Sequence, residues 1–469
     1  MNDTNINLDN NSEVTKDWTR LIDINEGRGI YEPMEFANNT ITASDGSTYM
    51  SVATGSGYGT VKSSLVKYNS SGSREWSKTL WDIDNTRTYA YDIEVGSDGS
   101  VYIAGRAEGL QHVVINNGGS TTYTSLGSDL FLSKYSSGGD LQWSRVQGSA
   151  NVGYNGDILV TPTFNWSSAN AISIDEENSV YITGYTTDDF GGQDNNGELD
   201  SFVRKYDSNG NSEWTKMLGT SGNDYADSIT TGSDGSIYIA GVKDYDYTGI
   251  GDTFVSKFSS DGENEWTQQL YNETNDLDNY IAADRDGSLY VGSGGGYDTP
   301  SLSKYNSDGS KEWTREIGAF GDTFTADIAT GSNDNIYIAG ITYSDLDGNL
   351  NKGSSDVFIS EYDIDGNRTW SDLLGSSSWD FAETISSYSD GSIYITGDTY
   401  GGDDFDGLAN DEYYQLFVSK FAVPQAEPTY SVNTSNTEID EGEWITTTVS
   451  TTDLQESTEL FWALQGENI

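Results

Sequence analysis

Residues 232–241 read GSDGSIYIAG and residues 96–105 read GSDGSVYIAG, the same phrase with one conservative change. Its tyrosine recurs with similar flanks at Tyr49, Tyr102, Tyr181, Tyr238, Tyr290, Tyr337 and Tyr394. Repetition at a period of roughly 50 to 70 residues marks an array of equivalent supersecondary units. Within the phrase, Asp234-Gly235 supplies the positive φ of a tight hairpin turn, so DSITTG and SIYIAG read as two antiparallel strands. Asp45-Gly46, Asp98-Gly99, Asp286-Gly287 and Asp390-Gly391 repeat that turn, with Glu177-Asn178 and Asp334-Asn335 as substitutes that tolerate left-handed backbone.

A second phrase follows each copy, as in DSFVRKY and DTFVSKF, ending at Tyr68, Tyr135, Tyr206, Phe258, Tyr305, Tyr362 and Phe421. A third, a tryptophan after a polar turn, gives Trp76, Trp143, Trp214, Trp266, Trp313 and Trp370. The seventh tryptophan stands at the other end, Trp18 in KDWTRL, ahead of the first tyrosine phrase. Each unit therefore reads as a four-stranded antiparallel meander of β-branched and aromatic residues. No window sustains helical spacing.

Seven such meanders predict an all-β, seven-bladed β-propeller over residues 15–424. The displaced Trp18 strand becomes the outermost strand of the last blade, beside LFVSKF at 416–421, and closes the ring non-covalently. Charge supports that register. Lys67, Lys205, Lys257 and Lys304 each precede by eight residues an acid, Glu75, Glu213, Glu265 and Glu312, while Lys420 has its counterpart in Asp17. The blade with Glu361 instead carries Thr369 at the matching place. Recurrence at one position reads the tryptophans as packing between blades.

The 23 basic and 75 acidic side chains give a net charge of −52, which argues against nucleic acid or an anionic membrane as partner. No stretch has the length and apolarity of a membrane span, and MNDTNINLDN has neither a basic segment nor an apolar run of a signal peptide. Without cysteine, stability must come from packing or bound ions.

The strand pair D-G-S-x-Y-I-x-G followed by D-x-F-V-S-K-Y-x-x-x-G-x-x-x-W resembles the SBBP family of bacterial seven-bladed propeller repeats, seven times over about residues 15–424. The resemblance implies an extracellular or cell-surface module of a longer chain, without an established enzymatic activity for the repeat. Residues 1–14 are expected to form a disordered tail and 425–430 a linker. Residues 431–469, with alternating Thr, Val and Ile and a terminal LFWALQG, look like the opening of a Calx-β-like or Ig-like sandwich, too short to close one.

The only histidine is His112, so histidine and cysteine catalysis and a zinc site lack support. Three loops between second and third strands share a frame: DFGGQDN from Asp189, DLDGNLN from Asp345 and DFDGLAN from Asp404. Alternating oxygen ligands around a glycine suit calcium, with Asp345, Asp347, Asn349 and Asn351 as one set and Asp404, Asp406 and Asn410 as another. The alternative is that Asp and Asn cap their own turns. The tyrosine-rich loops KDYDYTG at 243–249 and NDEYYQ at 410–415 suit a glycan-binding rim. The expected function is a non-enzymatic, monomeric adhesion, scaffold or ligand-binding module for a glycan, surface polymer or protein, stabilised by calcium. The alternative is a carboxylate-dependent polysaccharide hydrolase or lyase at the channel mouth.

Overall fold

In the computed structural model, each tyrosine phrase forms the first hairpin of a four-stranded antiparallel sheet, and there are seven such sheets. Residues 14–22 and 36–423 are described, with interruptions of which 148–165 is the longest, together with the strands Tyr430–Thr434 and Thr447–Thr451. Blade 4 is representative, with strands Asn223–Thr231, Ile237–Tyr245, Gly251–Phe258 and Asn264–Thr274 from innermost to outermost. The innermost strand of each blade contacts that of the next, and the seventh contacts the first, so the blades close a ring around a central channel.

The last blade combines Trp379–Ser387, Ser392–Tyr400 and Tyr414–Ala422 with the N-terminal strand Thr15–Ile22 as its outermost member. Trp18 stands opposite Lys420, as Trp214 stands opposite Lys205 and Trp266 opposite Lys257. The ion pairs expected from the eight-residue spacing form: Lys67–Glu75 at 2.9 Å, Lys205–Glu213 at 3.2 Å, Lys257–Glu265 at 3.2 Å and Lys304–Glu312 at 3.1 Å. Lys420–Asp17 completes the set at 3.5 Å across the closure. In blade 6, Glu361 instead accepts hydrogen bonds from Tyr337 at 2.7 Å and Thr369 at 2.7 Å.

A blade is flanked on both faces, so its middle strands are buried throughout, as Ser128–Tyr135 is, while an outermost strand such as Lys311–Glu316 alternates with solvent. Seven apolar clusters result, one in each gap between adjacent blades. The tryptophans bind blade to blade, as their recurrence predicted. Trp76, Trp143, Trp214, Trp266 and Trp313 each donate an indole hydrogen bond to a carbonyl in the outer hairpin turn of the following blade, at 3.0–3.3 Å.

The structure adds two details to the sequence reading. In blade 6, Asp334 rather than Asn335 takes the left-handed turn position, at φ 63. Blade 2 carries an inserted hairpin, Gln111–Asn116 with Gly119–Thr124, and His112 falls in its first strand. Beyond the propeller, Tyr430–Thr434 pairs antiparallel with Thr447–Thr451. The rest of the expected 431–469 module, residues 1–13 and residues 425–429 of the linker lie outside the described residues. Among the described residues no helix is long and apolar enough to cross a membrane.

Candidate functional site

The innermost strand of a blade is a sheet edge, and its backbone N–H groups need partners from outside the blade. Five of these strands share a local pattern: AYDI at 90–93, ANAI at 169–172, ADSI at 226–229, TADI at 325–328 and AETI at 382–385. In each, the pairing slips by one residue after the first letter, forming a β-bulge. The glycine ending the tyrosine phrase makes room for it. A Cβ on Gly241 would stand 2.0 Å from the Tyr225 carbonyl oxygen, and Gly105, Gly184, Gly340 and Gly397 have the same constraint at 1.9–2.1 Å. The bulge turns the two middle residues of the pattern toward the channel.

The result is a polar cavity of about 350 Å³ lined by the innermost strands of all seven blades, including Asp92, Glu94, Asp227, Asp327 and Glu383. None of its lining residues is basic. Three of the acids serve the ring itself. Asp92 accepts from the Asn39 amide at 2.8 Å, from Ile93 N at 2.7 Å and from Ile172 N in the next blade at 2.8 Å. Asp327 accepts from Ile328 N at 2.8 Å and from Ile385 N in the next blade at 3.0 Å. Asp227 holds the Asn170 amide of the preceding blade at 2.8 Å.

These carboxyls line the channel and are part-exposed to it. Desolvation pushes Asp92 and Asp327 up to about 7, against the hydrogen bonds that favour their charged forms. Glu94 rises to about 8, first through burial and then through repulsion from Asp92 and Asp327. Glu383 is raised by burial and by Asp398, which is itself raised by burial despite the hydrogen bond from Tyr414.

At the end of blades 6 and 7 where the innermost strands begin, aromatic rings form a chain. Phe324, Tyr343, Trp379, Phe381, Tyr400 and Tyr414 follow one another at centroid separations of 5.0–6.3 Å across blades 6 and 7. Trp379 is 47% exposed and Tyr343 38%, whereas the far end of the array meets Asp398. A second arc joins Tyr185 to Tyr225 at 5.1 Å and Tyr225 to Tyr245 at 5.7 Å. Arg106 stacks nearby on Tyr89 at 4.7 Å. Each tyrosine-rich loop thus contributes one ring, Tyr245 or Tyr414. Residues 246–249 and 410–413 of these loops lie outside the described residues.

No protein-family model matches the chain. A segment is 30% identical over 135 residues to the regulatory protein FlaEY of Caulobacter vibrioides, covering 26% of this chain and 14% of that protein. Solved structures similar to the chain include the propeller domain of the trilobed protease of Pyrococcus furiosus, described as having an open velcro topology. It is 8% identical, covers 83% of this chain and 94% of that one, and gives a TM-score of 0.42. Others are the Pan2 WD40 domain of Neurospora crassa (10%, 83% and 89%, TM-score 0.41) and the NanB sialidase of Streptococcus pneumoniae (10%, 83% and 68%, TM-score 0.40).

The loops singled out for calcium are organised by their own hydrogen bonds. Asp345 accepts from Asn351 N at 2.9 Å, and the Asn351 amide donates to Thr342 O at 2.9 Å. Asp189 and Asn195 repeat this at 3.0 and 2.9 Å. Asp347 turns outward to Arg368 and Ser371, and Asn349 donates to Ser371 O at 3.2 Å. Asp404 caps Gly407 N at 3.0 Å, while Asp406 pairs with Lys16 and with Lys352. Asn410 lies outside the described residues. Among the described residues, no three Asp, Glu or His side chains group as metal ligands.

On the opposite mouth, a cavity of about 550 Å³ opens between the inner turns of blades 3 to 5, lined by Asp175, Glu176, Glu177, Asp234 and Asp284 together with Lys205 and Arg285. Asp175 and Asp234 cap their turns through Ser179 N and Ser236 N at 2.8 and 2.9 Å.

Proposed function

We propose that this propeller is a non-enzymatic binding module of an extracellular or cell-surface protein, and that it takes a glycan or surface polymer at the aromatic-edged mouth of its channel. The observation that carries the reading is the array from Phe324 to Tyr414 across blades 6 and 7, exposed at Trp379 and Tyr343. Flat rings beside hydrogen-bonding side chains match the apolar faces and hydroxyl edges of sugar rings. The acidic surface and lack of cysteine support an exposed setting. Binding of the whole chain to an array of glycans and surface polymers tests the reading. Trp379→Ala is expected to weaken the selected interaction at least tenfold without changing the melting midpoint by more than a few degrees. Absence of binding to every polymer would refute it.

The second reading, a carboxylate-dependent hydrolase or lyase, is favoured by the acids and Arg285 around the 550 Å³ cavity. Its test is release of reducing ends from polysaccharides, abolished by Asp284→Asn.

A further inference from the structure

The arginines of this chain differ in what their guanidinium groups meet. Arg145 donates from Nε to Gly210 O at 2.6 Å and from Nη2 to Asn209 O at 2.9 Å, and Arg315 donates in the same way to Gly366 O and Asp365 O at 3.1 and 2.8 Å. Both fasten an outermost strand to the outer turn of the following blade. Arg106 has no such acceptors. Its Nε lacks a hydrogen-bond partner, and Glu108 lies 3.6 Å from Nη2, beyond hydrogen-bond length. A guanidinium carries five N–H donors, and a part-buried one left short of acceptors is costly.

Strand register explains the position. Arg106 shares a face of its strand with Tyr102 and Ala104, which pack against blade 3. It stands opposite Tyr89, and Glu108 stands opposite Arg87. Two guanidiniums thus share one carboxylate, at 3.6 and 3.7 Å, and the cluster keeps a positive charge. The net −52 of the chain does not cancel it, because salt confines the reach of exposed charges to about 8 Å. Tyr89 lies 4.7 Å from the Arg106 guanidinium and Tyr91 5.8 Å. The Tyr185 hydroxyl of blade 3 stands beside it, and from there the arc runs on to Tyr225 and Tyr245. Trp166, 40% exposed, bridges through its backbone to Ser128, the residue opposite Glu108 on the next strand. Arg87 and Trp379 each begin an innermost strand, so this cluster occupies the same end of the ring as the array of blades 6 and 7.

We propose that the gap between blades 2 and 3 binds the carboxylate of a uronic acid in an acidic polysaccharide, with Arg106 as its anchor and Arg87 as a second positive charge. This rests on the glycan reading above and narrows it to acidic polymers. The planar fork of a guanidinium matches the two oxygens of a carboxylate, and Glu108 at 3.6 Å leaves that pairing unmade. The Tyr185 hydroxyl adds a donor for a carboxylate or ring oxygen. Trp166 and the arc from Tyr185 to Tyr245 supply flat apolar faces for the neighbouring sugar rings.

The test is calorimetric titration of the whole chain with tetramers of galacturonate, mannuronate and hyaluronan, each beside its methyl ester, which keeps the sugar rings and removes the charge. At least one acidic tetramer is expected to bind tenfold or more tightly than its ester. Arg106→Gln is expected to bring it down to the level of the ester, and Arg106→Lys, which keeps the charge without the fork, to recover part of the difference. Should Arg106→Gln lose its cooperative melting curve, the more exposed Arg87→Gln serves instead, with a loss of about threefold. Equal binding of acid and ester would overturn the carboxylate inference and leave the glycan reading standing. Acid-selective binding unchanged in a folded Arg106→Gln variant would overturn the assignment to Arg106. Acid-selective binding that is lost in Arg106→Gln and untouched by Trp379→Ala would support the anchor and overturn the array of blades 6 and 7 as the glycan site. No binding by any tetramer overturns the anchor.

Discussion

Asp92 of blade 2 accepts a hydrogen bond from the backbone N–H of Ile172 in blade 3 at 2.8 Å, and so completes a sheet edge that its own blade does not contain. Asp92→Ala removes the acceptor for Ile172, Ile93 and the Asn39 amide together. Leaving buried donors unmet is expected to cost about 2–3 kcal/mol. Asp92→Asn retains one acceptor oxygen and is expected to cost less. Chemical denaturation of the two variants checks the order, and equal midpoints for wild type and Asp92→Ala would refute it.

The opening phrase carries two glycines held by different constraints. Gly235 sits at φ +78 with only Ser260 Cβ within 4 Å of a built Cβ, at 3.7 Å, so Gly235→Ala meets left-handed strain of about 1–2 kcal/mol. Gly241 lies against the Tyr225 carbonyl oxygen, and Gly241→Ala must push apart two paired strands at the bulge. Its cost is expected to exceed that of Gly235→Ala by at least about 2 kcal/mol, in line with overpacking of a tight site. Thermal melting of the two variants gives the comparison.

The same glycine shows where sequence reasoning stopped. The turn chemistry, the tyrosine and tryptophan recurrences and the Lys67–Glu75 type of spacing are local or pairwise signals, and the ring with its N-terminal closure was legible from them. The channel acids were not. A bulge is a slip between two strands, so Asp227 and Glu383 reach the channel through pairing that no single-strand alternation displays. Among 75 acids, composition gives Asp92 no distinction. The recurring A/T-x-x-I pattern, placed beside the recurring terminal glycine, was the available signal.

Closure depends on a strand distant in sequence from its partner. Trp18 packs edge-on to Tyr394 with ring centroids 6.1 Å apart and lies under Arg20. It is half-buried, so Trp18→Ala is expected to cost about 2 kcal/mol, below the ~3–5 of a fully buried ring. Asp17→Asn, which loses only an ion pair at the surface, should change stability by less than about 1 kcal/mol. A larger effect from Asp17→Asn than from Trp18→Ala would contradict this account of the closure.

Stability should fall, not rise, between acid and neutral pH. Asp92, Asp327 and Glu94 titrate at about 7 to 8 when folded and in the ordinary carboxyl range when unfolded. Between those values the folded state holds protons that the unfolded state has released, so raising pH favours unfolding. The contribution is complete below the unfolded values and is lost as pH passes through about 8. Several degrees of difference in melting midpoint between pH 5.5 and pH 8.5 are expected, with Glu94→Gln narrowing the gap. A midpoint that climbs over this range would sink the argument.

Calcium is the remaining test of the loops after the second strands. For an ion to bind at Asp345, Asp347, Asn349 and Asn351, it would have to recover oxygens from the Asn351 N–H, from Arg368 and from the Ser371 contacts. At Asp404 and Asp406 it would compete with the Gly407 N–H and with Lys16 and Lys352, the lysine contacts that tie the closing strand and blade 6 to the loop. A cation confined to the native state must raise the melting midpoint. Equal midpoints in millimolar calcium and in excess chelator are the expected result, and they would leave these residues as turn caps and ion-pair partners. A rise of several degrees that magnesium does not reproduce would instead assign the loops as ion sites and require the Asp347–Arg368 and Asp406–Lys16 pairs to open.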